Sequence, residues 1–300
     1  MKKEIFWFVI FIFSILYSVN LSHAQWQPDV KLTSISNYTY DLPNNGWQIA
    51  AQGNIIHAVW YDNRDGNYEI YYKRSTDTGT SWGADTRLTN ALSNSQYPSI
   101  AASGLSVHVV WCDLRDGDWA LYYKRSTDGG LTWSTDMRLT SQPSNAFNPS
   151  LSVAGNVMHL AWMDSRDGNY EIYYKHSTDN GFTWSADTRM TNTSTTSSNP
   201  SIAISGQTVH LVWYDTPGQQ QKIFYKHSTD GGTIWGSDTL ISNPNQGGAN
   251  FQNISVSGEN VHIVWVTSPN NINQIYYRHS SNAGNSWETI TRLTYDSTYA

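Results

Sequence analysis

The chain has a single cysteine, Cys112, in 300 residues, so no internal disulfide can form and the fold must rest on packing. Charge is scarce as well. Only 14% of residues are Asp, Glu, Lys or Arg, and 18 basic residues face 24 acidic ones for a net charge of −6. No basic stripe offers a footprint for nucleic acid or for an anionic membrane surface. After residue 24 no apolar run is long enough to span a bilayer, and no helical periodicity competes with the strand pattern. What the chain has instead is aromatic residues: 14 Trp and 19 Tyr, types that suit a pleated, half-buried surface.

The N-terminus carries the marks of an export signal. Lys2 and Lys3 precede an almost wholly apolar run from Ile5 to Tyr17, and Ser22-His23-Ala24 offers a small-x-small cleavage site before Gln25. Residues 1–24 are therefore expected to be a signal peptide and 25–300 the mature chain. At 13 residues the run is short for a membrane span, and no Cys follows the cleavage site to take a lipid. The expected location is secreted, periplasmic or at the cell surface, with no membrane span once the signal is removed.

A repeat dominates the mature chain. The pattern His-x-Val/Ala-Trp falls at His57–Trp60, His108–Trp111, His159–Trp162, His210–Trp213 and His262–Trp265, in steps of 51, 51, 51 and 52 residues. A second tryptophan keeps register at Trp82, Trp133, Trp184, Trp235 and Trp287. In the second unit the alternation predicts strands over Pro98–Ala102, Val107–Trp111, Trp119–Lys124 and Met137–Thr140, separated by Gly, Asn, Asp, Ser and Pro. Four short antiparallel strands at a period near fifty describe propeller blades, so the expected fold is an all-β propeller with five complete repeats. Trp26–Thr33 copies the blade tail Trp82–Thr89 and adds one isolated N-terminal strand. Its phase leaves two options: a six-bladed propeller with the last blade incomplete at Ala300, or five blades with a spare strand.

Between the third and fourth strands each unit carries Ser-x-Asp-x-Gly-x-Thr-Trp. Its key residues are Asp77, Gly79 and Trp82; Asp128, Gly130 and Trp133; Asp179, Gly181 and Trp184; Asp230, Gly232 and Trp235; and, with Asn282 in place of Asp, Gly284 and Trp287. Asp and Ser side chains satisfy turn backbone groups, Gly permits positive φ and Trp buries a large ring, so the box is expected to staple its hairpin. The five repeated histidines are expected to pack or hydrogen-bond. Cys112 stands where other units have Tyr61, Met163, Tyr214 and Val266, which marks a variable packing position.

Five registered boxes make the mature chain resemble the Asp-box (BNR-repeat) family of sialidase-like β-propellers, which includes exo-sialidases, other glycosidases and many proteins with no known activity. The resemblance implies a site on the face opposite the boxes, where the loops between strands two and three emerge. There three units carry Asp-x-Arg-Asp-Gly, at Asp62–Gly66, Asp113–Gly117 and Asp164–Gly168. By resemblance to sialidases, Arg64, Arg115 and Arg166 would grip a carboxylate, with Asp65, Asp116 and Asp167 beside them. Alternatively, each Arg pairs with its own Asp and stiffens its own turn. Asp62, Asp65, Asn67 and Glu69 also group hard oxygens of the kind calcium takes, although the spacing matches no EF-hand and no metal or cofactor is expected. The family's tyrosine nucleophile has no distinguished counterpart, and no Arg-Ile-Pro motif stands near the mature N-terminus.

Near-equal repeats argue against the asymmetric constellation that catalysis needs. The expected function is therefore a non-catalytic propeller binding a glycan or an extracellular protein, with no nucleic-acid partner. Exo-sialidase or related glycoside hydrolase activity is the alternative, and a scaffold role within a larger surface protein the third.

Overall fold

The computed structural model describes residues 31–33, 48–141, 143–243, 247–269 and 272–295. The expected signal peptide 1–24 and most of the expected N-terminal strand lie outside the described residues, and Lys31–Thr33 belong to no strand. All five blades fall within one compact unit, Ile35–Ala300. Each is a four-stranded antiparallel meander in chain order. Blade two runs through Ser95–Ser103, Ser106–Asp113, Ala120–Ser126 and Met137–Arg138. A 3-10 turn lies at Pro217–Gln219, and among the described residues no helix is long and apolar enough to cross a membrane.

The first strand of blade two starts three residues before the predicted Pro98. Gln96 pairs with Cys112 and Ser99 with Val110, so Tyr97 and Pro98 together oppose one residue in a bulge. A bulge takes the proline's missing N–H off the ladder, which lets the strand continue through it. Tyr97 takes φ 55° there, and Asn148, Asn199 and Phe251 take 51°, 51° and 52° at the matching positions of the next three blades.

Blades pack in series through their first strands, Ile49–Gln52, Ser95–Ser103, Ala146–Ala154, Ser197–Ser205 and Ala249–Ser257. Alternation gives each blade a forward face, turned to the next blade in the chain, and a rear face. On the forward face of blade one lie Val59, Ile70 and Tyr72, and Val107, Val109 and Trp111 of blade two pack with them. The first three first strands border an open pocket of ≈ 240 Å³ lined by Ile49, Ile100 and Leu151 among others. Serines in these strands also tie blades together: Ser99, Ser150 and Ser201 accept hydrogen bonds from Leu151, Ile202 and Ile254 backbone N–H groups.

The Asp-boxes close each hairpin locally. Ser126 donates to Asp128 at 2.6 Å, and Asp128 accepts from the Thr132 backbone N–H at 2.9 Å. These hydrogen bonds hold the Asp77 and Asp179 carboxyls down to about 2, the Ser81 and Thr183 hydroxyls contributing most. In blade five, Asn282 reverses one bond and donates its amide to Ser286 at 2.8 Å.

The boxes also lock neighbouring blades, which the turn chemistry alone does not reveal. Tyr72, Tyr123, Tyr174 and Tyr225 meet Trp133, Trp184, Trp235 and Trp287 of the following blade edge-on, at centroid distances of 5.0, 5.5, 5.1 and 4.8 Å. A Cβ on Gly130, Gly181, Gly232 or Gly284 would overlap the same tyrosine's hydroxyl. That hydroxyl in turn shares a hydrogen bond of 2.6 to 2.7 Å with Nδ1 of His57, His108, His159 or His210. Burial leads in lowering the pKa of all four histidines to about 4, so they sit neutral in the fold. The repeated histidines are thus parts of a blade junction, and Cys112 packs fully buried beside it with its thiol pKa raised by burial.

Candidate functional site

Antiparallel order places the Asp-x-Arg-Asp-Gly loops on the face opposite the boxes. Asp62, Asp113 and Asp164 are the last residues of their second strands and are buried. Each draws its own arginine inward. Arg115 donates to Asp113 through Nε at 2.8 Å and Nη2 at 2.6 Å, and through Nη1 to Asp136 at 2.7 Å. Arg64 makes the same bonds to Asp62 and Asp85, and Arg166 reaches Asp164 and Asp187. Lys73, Lys124 and Lys175 complete the sets on Asp85, Asp136 and Asp187 at 2.7 to 2.9 Å. The three guanidiniums lie over the rings of Tyr71, Tyr122 and Tyr173 at 4.2 to 4.7 Å. Each arginine therefore serves its own blade.

Asp65, Asp116 and Asp167 face outward and belong to a second set that the loop motif does not announce. Tyr71, Tyr122 and Tyr173 donate their hydroxyls to these carboxylates. Arg87, Arg138 and Arg189, from the fourth strands, bridge each to a more buried acid, Glu69, Asp118 or Glu171. Burial first, then the Asp116 carboxylate, pushes the Tyr122 phenol up to about 12, and the same causes raise Tyr71 and Tyr173. Asp116 moves the other way, lowered by the hydrogen bonds from Tyr122 and Arg138. An open groove of ≈ 610 Å³ borders Asp116 and Arg138. The oxygens proposed for calcium are engaged here: Asp62 with Arg64, Asp65 with Tyr71 and Arg87, Glu69 with Arg87 and Thr89. Among the described residues no group of three or more His, Cys, Asp or Glu is arranged around a metal position.

Nearer the first strands the repeats stop being alike. The residue just ahead of each third strand receives the next blade's first-strand N–H on its carbonyl: Tyr68 from Ser95, Trp119 from Ala146, Tyr170 from Ser197, Gln221 from Ala249. Beside them stand Phe147, paired with Met163 at the edge of its bulge, and the bulge residues Tyr97, Asn148 and Asn199. Trp119 and Phe147 lie 5.2 Å apart, Phe147 and Tyr170 6.4 Å, and Tyr97 and Phe147 6.0 Å, all half-buried. Over blades three to five the same rim is amide-rich. Asn148 donates to Asn199 at 2.5 Å, Gln252 to the Asn199 carbonyl, and Asn250 to Gln221 at 3.1 Å. One rim thus passes from aromatic to amide across a framework that otherwise repeats. The two sides of this rim come from adjacent repeats, so a repeat-by-repeat reading does not assemble it.

The comparisons with known proteins agree with this architecture. A sialidase of Clostridium perfringens is 27% identical over 202 residues, covering 56% of this chain and 52% of the relative, so the chain spans about half the length of that curated protein. Among solved structures, a Dyadobacter fermentans protein of unknown function superimposes with a TM-score of 0.64 at 12% identity, covering 83% of this chain and 82% of the other. The phage phi92 endosialidase gives 0.60 at 12% identity over 85% and 59%. Trypanosoma rangeli sialidase gives 0.55 at 14% identity over 82% and 47%. At these identities the structural likeness speaks to the fold, a β-propeller of sialidase type. The family model for the BNR repeat-like domain matches residues 14–263, and the chain belongs to that family.

Proposed function

We propose that this protein is an exported, non-catalytic propeller whose loop face binds a glycan or a protein outside the cytoplasm. The observation that carries the reading is the triple repetition of one closed ionic set. Arg64, Arg115 and Arg166 each pair with two carboxylates of their own blade, which argues against a shared anion clamp. A tyrosine nucleophile must shed its proton, and the phenols beside Asp65, Asp116 and Asp167 have pKa values moved upward instead. Export rests on the basic and apolar N-terminal pattern.

A second reading, exo-sialidase activity, draws on the Tyr–Asp–Arg groups themselves and on the C. perfringens relative. The two part in one assay. The mature, folded protein should release no fluorophore from a 4-methylumbelliferyl sialoside above a buffer control. Turnover that disappears in Arg115→Ala would establish hydrolysis and remove the binding-only reading.

A further inference from the structure

We infer that the rim where the first strands meet the loop face binds an uncharged oligosaccharide, with sugar faces on Trp119, Phe147 and Tyr170 and hydroxyls on Asn148, Asn199 and Gln221. The inference deepens the proposed binding role and rests on it.

Four features of the rim converge. Trp119, Phe147 and Tyr170 form a continuous half-buried aromatic surface across the junction of blades two and three. Apolar C–H faces of pyranose rings pack on such surfaces, and the polar edges of the same rings need hydrogen bonds. The amides that would supply those bonds continue directly from the aromatic surface, since Asn148 follows Phe147 in the chain and bonds Asn199 of the next blade. Amides offer both donors and acceptors, which matches hydroxyl groups that do both.

The backbone at the rim is held in an uncommon conformation. Tyr97, Asn148, Asn199 and Phe251 all have φ between 51° and 55°, a region that costs a residue with a Cβ on the order of 1–2 kcal/mol. It recurs at the same register position in four blades. The side chain of Gln252 next to it is wholly buried and donates to Asn199, while its Oε1 accepts no hydrogen bond from the protein. That oxygen is shut off from the surface, so Gln252 holds Asn199 in place and is not itself a sugar contact.

Charge sets the ligand class. The six arginines that blades one to three present on this face are all bound to carboxylates. A carboxylated sugar would have to break one of those pairs, whereas a neutral one needs none of them. The site therefore favours an uncharged glycan over a sialylated one.

The test is titration of the full mature protein with cellohexaose, xylohexaose and chitohexaose, beside sialyllactose as the anionic probe, followed by tryptophan fluorescence. At least one neutral hexasaccharide should bind with micromolar to millimolar affinity. Trp119→Ala should weaken it about tenfold or more, as loss of a stacking surface does. Gln221→Ala, which spares the aromatic surface and guards against a folding defect in the first variant, should weaken it about three- to tenfold. Binding of none of the neutral probes, or binding unaltered in both variants, overturns the inference. So does sialyllactose binding that survives Trp119→Ala and is lost in Arg115→Ala. Sialoside turnover is read separately, and would remove the non-catalytic proposal without moving the ligand from the rim.

Discussion

The forward faces of blades one to four are covered by a neighbour, and the same face of blade five is open among the described residues. Ile70, Leu121, Ile172 and Ile223 are wholly buried, but Ile275 at the equivalent position is 42% exposed. Leu139 is 7% exposed and its counterpart Leu293 50%. The sequences of the two classes of face are nearly the same, down to the His–Tyr pair, which persists in blade five as His262 and Tyr277 at 2.7 Å. The difference shows which properties belong to a blade and which to a junction. Strand pairing, the Asp-box and the His–Tyr bond form within a blade; dryness, and the gain from it, needs two blades.

Acid should break the covered junctions most severely. His57, His108, His159 and His210 have folded pKa values near 4, below the ordinary 6.5, so they stabilise the fold above about pH 6.5. That contribution drains away as pH falls from 6.5 towards 4, because the unfolded chain then binds protons that the folded one refuses. The Asp-box aspartates, held at about 2, add their own loss mainly below about pH 4, where the carboxyls of the unfolded chain take up protons that the folded ones refuse. Thermal melting followed by tryptophan fluorescence should show Tm dropping by about 10 °C or more between pH 7 and pH 4.5. A flat profile over that range would mean the histidines are not kept neutral by the junctions.

A pair of glycine substitutions separates the turn from the junction. Gly181→Ala would place a methyl group against the Tyr123 hydroxyl of the preceding blade, and urea unfolding should record a loss of about 4 kcal/mol. Gly79, with φ +89°, has the same turn, but its Cβ would touch only Ile56 at 3.4 Å. Gly79→Ala should therefore cost only the backbone strain, about 1 kcal/mol. Equal costs would assign the glycine to the turn alone.

The smallest contrast compares the two faces directly. Leu139→Ala leaves a cavity between covered blades and should cost about 3 kcal/mol, while Leu293→Ala on the open face should cost under about 1 kcal/mol by the same urea measurement. A large loss at Leu293 would show that something covers blade five in solution.

Much of this architecture is readable from the repeat itself. Strand order, blade period and the Asp-box staple all follow from patterns that recur every 51 or 52 residues and act within one unit. Three things are not readable there, each because it links positions that lie far apart in the chain. Arg64 turns to Asp85, 21 residues on, where the fourth strand begins. Gly130 is required by Tyr72, which belongs to the previous blade. The aromatic and amide rim joins the start of one blade's third strand to the bulge of the next blade's first. Pro98 misleads for a local reason: it marks a bulge inside a strand, where the expectation placed a strand's beginning.

The tyrosine that fits only beside a glycine has a consequence for how such a chain can change over generations. Every joint uses the same key and the same lock, spaced one unit apart. Duplication or deletion of a whole unit by unequal crossing-over in the gene would bring matching halves together at each new joint. Copy number is therefore free to drift without any joint having to be reinvented, and selection is left to act on the few rim positions where one unit differs from the next.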